Sequence, residues 1–185
     1  VPDGSQKIPT HMVYDVKHDG RHKARMVAGG HRTETPVDSV YSGVVSLTGV
    51  RLVTFLAEHN QLELWGTDIG NAYLESYTKE KVCFTAGPEF GDLHGHLMII
   101  KKALYGLKSS GARWHDRLFD SLTDMGFTPS RMDPDIWMRA QEDHYEYIAC
   151  YVDDLMIASR NPQGIIDSLE SAPNNYKLKG TGPIK

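Results

Sequence analysis

Apolar residues recur along this chain with two different periods, and the switches between them mark its elements. His11 to Val16 and His22 to Ala28 read as strands on either side of Asp19-Gly20, which predicts a β-hairpin. Gly29-Gly30 ends the second strand. Between Leu47 and His59 the apolar positions Val50, Val53, Leu56 and Ala57 fall on one face of a helix. Leu62 to Asp68 returns to alternation, with Leu62, Leu64, Gly66 and Asp68 on one side and Glu63, Trp65 and Thr67 on the other. This predicts a strand that ends on Asp68.

A turn or short helical segment follows around Ala72-Tyr73-Leu74, and then two strands, Lys81 to Thr85 and His96 to Lys102. Between those strands, Ala86-Gly87-Pro88 and Gly91 to Gly95 read as loops. Ser110 is placed to cap a helix from Gly111 to about Met125, with Trp114, Leu118, Leu122 and Met125 as its buried stripe and Gly126 as its terminator. A hairpin from Tyr145 to Ala158 comes next, then a helix opened by Asn161-Pro162 that buries Ile165, Ile166 and Leu169. Tyr176-Lys177-Leu178 begins a last strand. Strands interrupted by helices in this irregular order predict an α+β fold rather than a doubly wound sheet.

Composition adds limits. The 185 residues suit one domain or a domain and part of another, and 40% hydrophobic with 24% charged residues is enough for a core. The net charge of -4 does not announce a nucleic-acid partner, but two segments are locally basic. From Asp15 to Arg32 there are Lys17, Arg21, Lys23, Arg25 and Arg32 against Asp15 and Asp19. From Lys101 to Arg117 there are Lys101, Lys102, Lys108, Arg113 and Arg117 against Asp116. A lone run of this kind is usually a solvated face. Cys83 and Cys150 each sit in an apolar run, which favours buried reduced thiols over a disulfide. His94-Gly-His96 is a weak metal pattern and reads as a surface loop. No apolar stretch has membrane-spanning length. The start at Val1 and the end within Thr181 to Lys185 read as a segment of something longer.

The chemistry centres on Tyr151-Val152-Asp153-Asp154, two carboxylates between the apolar runs Tyr147 to Cys150 and Leu155 to Ala158. An isolated Asp-Asp is more often a solvated turn than a metal site. The strand ending at Asp68, followed by Ile69-Gly70-Asn71-Ala72-Tyr73, changes that balance. If the strands are neighbours, Asp68, Asp153 and Asp154 converge and suit two Mg²⁺ ions about 3.5–4 Å apart, the arrangement that clamps attacking and leaving oxygens in phosphoryl transfer. The backbone amides after Asp68 then suit a triphosphate, with Gly70 allowing close approach, and Tyr73 would lie under the sugar of a nucleotide. Taken singly, Tyr73 is more often a core aromatic, and Lys23 or Arg25 a solvated strand residue.

The chain resembles the reverse transcriptase domain of Ty1/copia-type LTR retrotransposons. The matching segments are Lys23-Ala-Arg-Met-Val27, Tyr41-Ser-Gly-Val-Val45, Thr67-Asp-Ile-Gly-Asn-Ala-Tyr-Leu74, Ala103-Leu-Tyr-Gly-Leu-Lys108, Arg113-Trp114, Asp133-Pro-Asp-Ile-Trp137 and Tyr151-Val-Asp-Asp154, in this order and over nearly the whole length. The resemblance implies a right-hand polymerase with fingers at about 1–60 and 76–109, palm at about 61–75 and 110–185, and the thumb absent. It implies an RNA-directed DNA polymerase that adds dNTPs to a primer 3′-hydroxyl on an RNA or DNA template, with two Mg²⁺ and Mn²⁺ as a substitute.

By the same resemblance Asp68, Asp153 and Asp154 are catalytic and hold metal, with the carbonyl of Ile69. Lys23, Arg25, Gly70, Asn71, Ala72, Tyr73 and Tyr105 bind nucleotide, with Tyr73 as the gate against a ribose 2′-hydroxyl. Gly106, Lys108, Tyr151 and Val152 face template and primer. The remainder of the polyprotein (thumb, RNase H, integrase) is the implied partner, in a cytoplasmic particle or the nucleus, with no membrane. Gly111 stands where the family often has Pro, and Ser109-Ser110 replace a commoner Gln-Ala pair. The alternative expectation is a truncated or decayed element that keeps the fold and weak nucleotide or nucleic-acid binding without polymerising. A metal-dependent nuclease is disfavoured, because no His or Lys general base adjoins the acids.

Overall fold

The computed structural model describes residues 1–34, 40 and 42–184, so Tyr41 of the segment ending at Val45 lies outside the described residues. In chain order the elements are β1 (Gln6–Lys7), β2 (Thr10–Val16), β3 (His22–Ala28), α1 (Leu47–His59), β4 (Glu63–Ile69), β5 (Val82–Thr85) and β6 (Leu97–Ile99). They continue as α2 (Ser110–Asp124), β7 (Thr128–Pro129), β8 (Ile136–Ala140), β9 (Tyr145–Tyr151), β10 (Asp154–Ser159), α3 (Pro162–Glu170) and β11 (Leu178–Pro183). Short 3-10 turns lie at Gly30–Arg32, Ala72–Glu75 and Pro88–Leu93, the last where the sequence predicts only loop. The chain divides into two compact units, Val1–Tyr41 with Tyr73–Trp114, and Ser42–Ala72 with His115–Lys185.

In the first unit β2 and β3 form the predicted antiparallel hairpin, with Gly20 at φ 79 supplying the left-handed turn residue. A three-stranded sheet of order β1-β5-β6 lies beside a core of Ile8, Ala28, Val82, Phe84, Ile100 and Leu107. The break after β3 has a packing cause: a Cβ on Gly30 would stand 2.1 Å from the Gly106 carbonyl oxygen. Backbone meets backbone there, and only glycine fits.

The second unit is a six-stranded sheet of order β11-β4-β10-β9-β8-β7 with antiparallel neighbours throughout. Helix α1 has the bounds its periodicity predicts. It packs Val53 and Ala57 into a core with Val45, Leu62, Ile136, Tyr147, Ala149 and Ala158. That burial places α1 in the second unit. In α3, Asn161 accepts a capping bond from Gly164 N at 3.2 Å, and Ile165, Ile166 and Leu169 are buried as expected.

Two local readings change. Strand β8 was not predicted, since Ile-Trp-Met-Arg-Ala shows no clean alternation and is fixed by pairing with β9. Ser110 does not cap α2: its hydroxyl donates to Leu104 O at 2.7 Å. Ser109 O accepts the first helical bond, from Arg113 N, while the Ser109 amide and hydroxyl both donate to Glu80 Oε1. The serine pair thus ties down the segment entering the helix.

The far end of the β9–β10 hairpin is held by Glu146, which is buried and accepts bonds from Ser159 Oγ (2.5 Å), Gln141 Nε2 (2.7 Å) and Arg139 Nε (2.9 Å). Burial opposes its charge, but the bonds from Ser159, Gln141 and Arg139 outweigh it and hold the carboxyl below its ordinary range. Cys83 and Cys150 are buried free thiols, and burial pushes the Cys150 thiol well up. His94 and His96 are exposed.

Candidate active site

Strand pairing brings the acids together. β10 lies antiparallel to β4 in a register that sets Asp154 directly opposite Asp68. Side chains of such partners start about 5 Å apart at Cβ. Asp153 lies in the two-residue loop between Tyr151 and Asp154, and its carbonyl accepts Ile69 N at 2.8 Å, which ties the loop to the end of β4. Val152, the first loop residue, has φ 56. A two-residue hairpin requires positive φ at one or both loop positions, and a β-branched residue takes that conformation only under strain. The turn is therefore Val152-Asp153 rather than Asp-Asp, and Asp154 belongs to the strand.

Partial burial, and then the charges of Asp153 and Asp68, hold the Asp154 carboxyl above its ordinary range, although the residue stays exposed. This is a site of crowded like charge. Among the described residues no group of three or more His, Cys, Asp or Glu side chains is arranged to hold a metal ion unaided. The donor set nevertheless suits Mg²⁺, which keeps several waters and needs only one or two carboxylates plus substrate phosphates. Asp68 and Asp154 open onto a cavity of about 460 Å³ whose wall includes Val45, Val50, Ala149, Tyr151 and Lys179.

Lys179 is a site residue that the sequence reading missed. It sits on β11 opposite Asp68, at a one-residue bulge between the Lys179–Asp68 and Gly182–Gly66 pairs. Bulges re-aim side chains beside active sites. A Cβ on Gly70 would come within 2.7 Å of Lys179 Nζ, so the bare Cα of Gly70 accommodates that lysine. The signal was present in the alternation of Lys177 and Lys179 around Leu178, but pairing with β4 was needed to give it meaning. Gly70 N donates to Lys177 O at 2.8 Å, and Asn71 follows with φ 56.

The other expected residues, Ala72 apart, lie in the first unit. Lys23 and Arg25 are half-buried on β3, opposite Asp15 and Val13. Arg25 reaches the Tyr105 ring, its Cζ 6.0 Å from the centroid, and Tyr105 stands 4.9 Å from the Tyr73 ring. Arg25, Tyr105 and Tyr73 thus form one cluster, with the two tyrosine rings tilted by 50° to each other. Ala28 N donates to Tyr105 O at 2.7 Å, and Gly106, at φ 90, packs its Cα against Ala28 O. Lys108 Nζ donates to Thr33 O at 2.6 Å, which ties it to the chain after β3. Ala72 is the last residue of the second unit and is buried; Tyr73 opens the next segment of the first.

The family model described as "Reverse transcriptase (RNA-dependent DNA polymerase)" matches residues 1–185. The chain therefore belongs to the reverse transcriptase domain family, in the form carried by Ty1/copia-type Pol polyproteins. It is 27% identical over its whole length to the Retrovirus-related Pol polyprotein from transposon TNT 1-94 of Nicotiana tabacum, covering 15% of that protein. It is 28% identical over 86% of its length to the Pol polyprotein from transposon RE1 of Arabidopsis thaliana, covering 11% of it. With the Transposon Ty1-MR1 Gag-Pol polyprotein of Saccharomyces cerevisiae it shares 31% identity over 91% of its length, covering 10% of that protein. The chain thus spans about a seventh or less of these curated relatives. Among the described residues no helix is long and apolar enough to cross a membrane.

Proposed function

We propose that the chain is the polymerase core of an RNA-directed DNA polymerase, which joins a dNTP to a primer 3′-hydroxyl on an RNA or DNA template and releases pyrophosphate. The observation that carries this reading is the Asp68–Asp154 cross-strand pair, with Asp153 in the adjoining loop, in a chain of the reverse transcriptase family. In right-hand terms the first unit corresponds to fingers and the second to palm, with thumb, RNase H and integrase supplied by other parts of a Pol polyprotein.

Asp68, the Ile69 carbonyl and Asp153 would hold two Mg²⁺, or Mn²⁺ in their place, with Asp154 completing the acidic set. Bound there, the ions supply Lewis-acid stabilisation of the attacking and leaving oxygens. The protein's own groups do the rest. Arg25 and Lys23 set cations against the triphosphate, and Lys179 adds positive charge beside Asp68. The amides of Asn71 and Ala72 face phosphate oxygens, whereas the Gly70 amide is held by Lys177 O. Tyr73, backed by Tyr105, fills the space a ribose 2′-hydroxyl would need. Tyr151 and Val152 meet the primer end, and Gly106, its Cα packed against Ala28 O, forms the turn that faces the template strand. Lys108 steadies that loop through Thr33.

The test is primer extension on poly(rA)/oligo(dT) with Mg²⁺, using this 185-residue chain and a longer chain with the segments that follow it in Pol relatives. The long chain is expected to extend the primer and the short one only weakly. A folded long chain that is inert would instead point to a decayed element that keeps the fold alone.

A further inference from the structure

The segment Asp133-Pro-Asp-Ile-Trp137 has no place in the chemistry above, yet both of its carboxylates are committed. Asp133 Oδ2 accepts Ser46 N at 3.0 Å and Ser46 Oγ at 2.8 Å, and Asp133 Oδ1 accepts Asp135 N at 3.2 Å. Asp135 is buried, and its Oδ1 lies 3.0 Å from His115 Nε2. Two glycines are shaped to these acids. A Cβ on Gly43 would stand 2.4 Å from Asp135 Oδ2, and one on Gly49 would stand 2.6 Å from Asp133 Oδ2.

The outer edge of β9 shows what this arrangement supports. The pairing of β8 with β9 begins at Ile136–Ala149, so β8 leaves Cys150 uncovered on that side. The edge is completed by other groups: Cys150 N donates to Asp135 O at 2.9 Å, and Val45 N donates to Cys150 O at 2.8 Å. Cys150 immediately precedes Tyr151 and the strained loop that carries Asp153. Residues 43–46, bonded to Asp133 through Ser46 and packed at Gly43 against the Asp135 carboxylate, thus act as a short prop along the stem of the acidic hairpin. Val45 and Val50, on either side of Ser46, also line the cavity onto which Asp68 and Asp154 open.

We propose that Asp133 and Asp135 are positioning residues for the acidic centre: they lock residues 43–46 onto β9 at Cys150 and so hold the Val152-Asp153 loop in register with Asp68. The proposal rests on the reading of that centre as a metal site. Its test has two readouts on the intact chain: amide exchange by NMR, and Mn²⁺ affinity by electron paramagnetic resonance.

Asp133→Ala and Asp135→Ala are expected to speed exchange at Val45, Ser46 and Cys150, and to weaken Mn²⁺ binding about tenfold, as misplacement of a ligand by a fraction of an ångström does. Asp133→Asn, which keeps an oxygen for Ser46, is expected to fall between. Ile165→Val in α3, a core change outside the prop, serves as the control for stability alone and is expected to leave Mn²⁺ affinity unchanged. Faster exchange with wild-type Mn²⁺ affinity in both alanine variants overturns the positioning role and leaves a purely structural one. Mn²⁺ binding that survives Asp153→Asn overturns the metal reading itself, and the proposal with it.

Discussion

Asp68 on β4 and Asp154 on β10 are direct cross-strand partners, although 85 positions lie between them in the sequence. Two carboxylates opposite each other destabilise a sheet unless a cation or a proton relieves them. In this fold the cost is accepted at the end of the sheet that opens onto the cavity.

That cost predicts a pH and metal dependence. The folded pKa of Asp154 is raised, chiefly by burial and then by Asp153 and Asp68. The metal-free fold therefore binds this proton more tightly than the unfolded chain does, and the group's contribution to stability falls as pH rises from 3.8 through the raised value. Asp154→Asn should match the wild type in melting temperature at low pH and exceed it at neutral pH without metal. Millimolar Mg²⁺ or Mn²⁺ should narrow that difference by stabilising the wild type more. Equal melting curves at every pH would remove the repulsion argument.

Val152 offers a test of stored backbone strain. At φ 56 a Cβ costs about 1 kcal/mol, so Val152→Gly should be more stable than Val152→Ala by roughly that amount in chemical denaturation. The reverse order would mean that the loop relaxes out of the left-handed region.

Sugar selection should follow the tilted Tyr73–Tyr105 pair. Tyr73→Ala is expected to raise ribonucleotide incorporation relative to deoxynucleotide by about tenfold to a hundredfold, the scale on which a pocket accepts or rejects a hydroxyl. Tyr105→Ala, which removes the ring 4.9 Å behind Tyr73, should give a smaller rise. Single-nucleotide incorporation with matched dNTP and rNTP measures both, and unchanged selectivity in Tyr73→Ala removes the gate.

Glu146 should be the most stability-sensitive acid outside the site. Glu146→Ala leaves Arg139 without its carboxylate and opens a buried site, and is expected to cost about 3–5 kcal/mol in urea unfolding. Because the folded pKa is depressed below 4.5, the contribution is present above that pH and is lost as pH falls through the depressed value. Acid unfolding of the wild type should be steeper than that of Glu146→Gln.

His115 works in the opposite sense. Its pKa is raised by the bond to Asp135, against burial and with help from the charges of Asp135 and Asp116. The contribution is complete below 6.5 and lost as pH rises through the folded value. His115→Gln should flatten the fall in melting temperature as pH rises above 6.5, as read by circular dichroism.

Much of this molecule is legible one residue at a time. The 3.6-residue period of α1, the Asn161-Pro162 start of α3, the Asp19-Gly20 hairpin and the two strands flanking Tyr151 to Asp154 are all local signals, and each element stands where its residues place it. Resemblance in ordered motifs was enough to assign the family, because seven collinear segments spread over nearly the whole length are specific as a set. Local signals fail where a role depends on a partner. Ser110 looks like a cap until Leu104 O is found beside it, and Lys179 looks like one solvated lysine among several until the β11–β4 bulge sets it next to Asp68.

The sequence by itself determined most of the longer elements and which acids are available, since propensity, periodicity and turn chemistry act over a few residues. Only the tertiary structure decided that β4 lies beside β10, that α1 joins the sheet carrying the acids, and that Asp133 and Asp135 brace that sheet's edge at Cys150. Strand order and register are set by which apolar faces bury together over long sequence separations, and no local window contains that information.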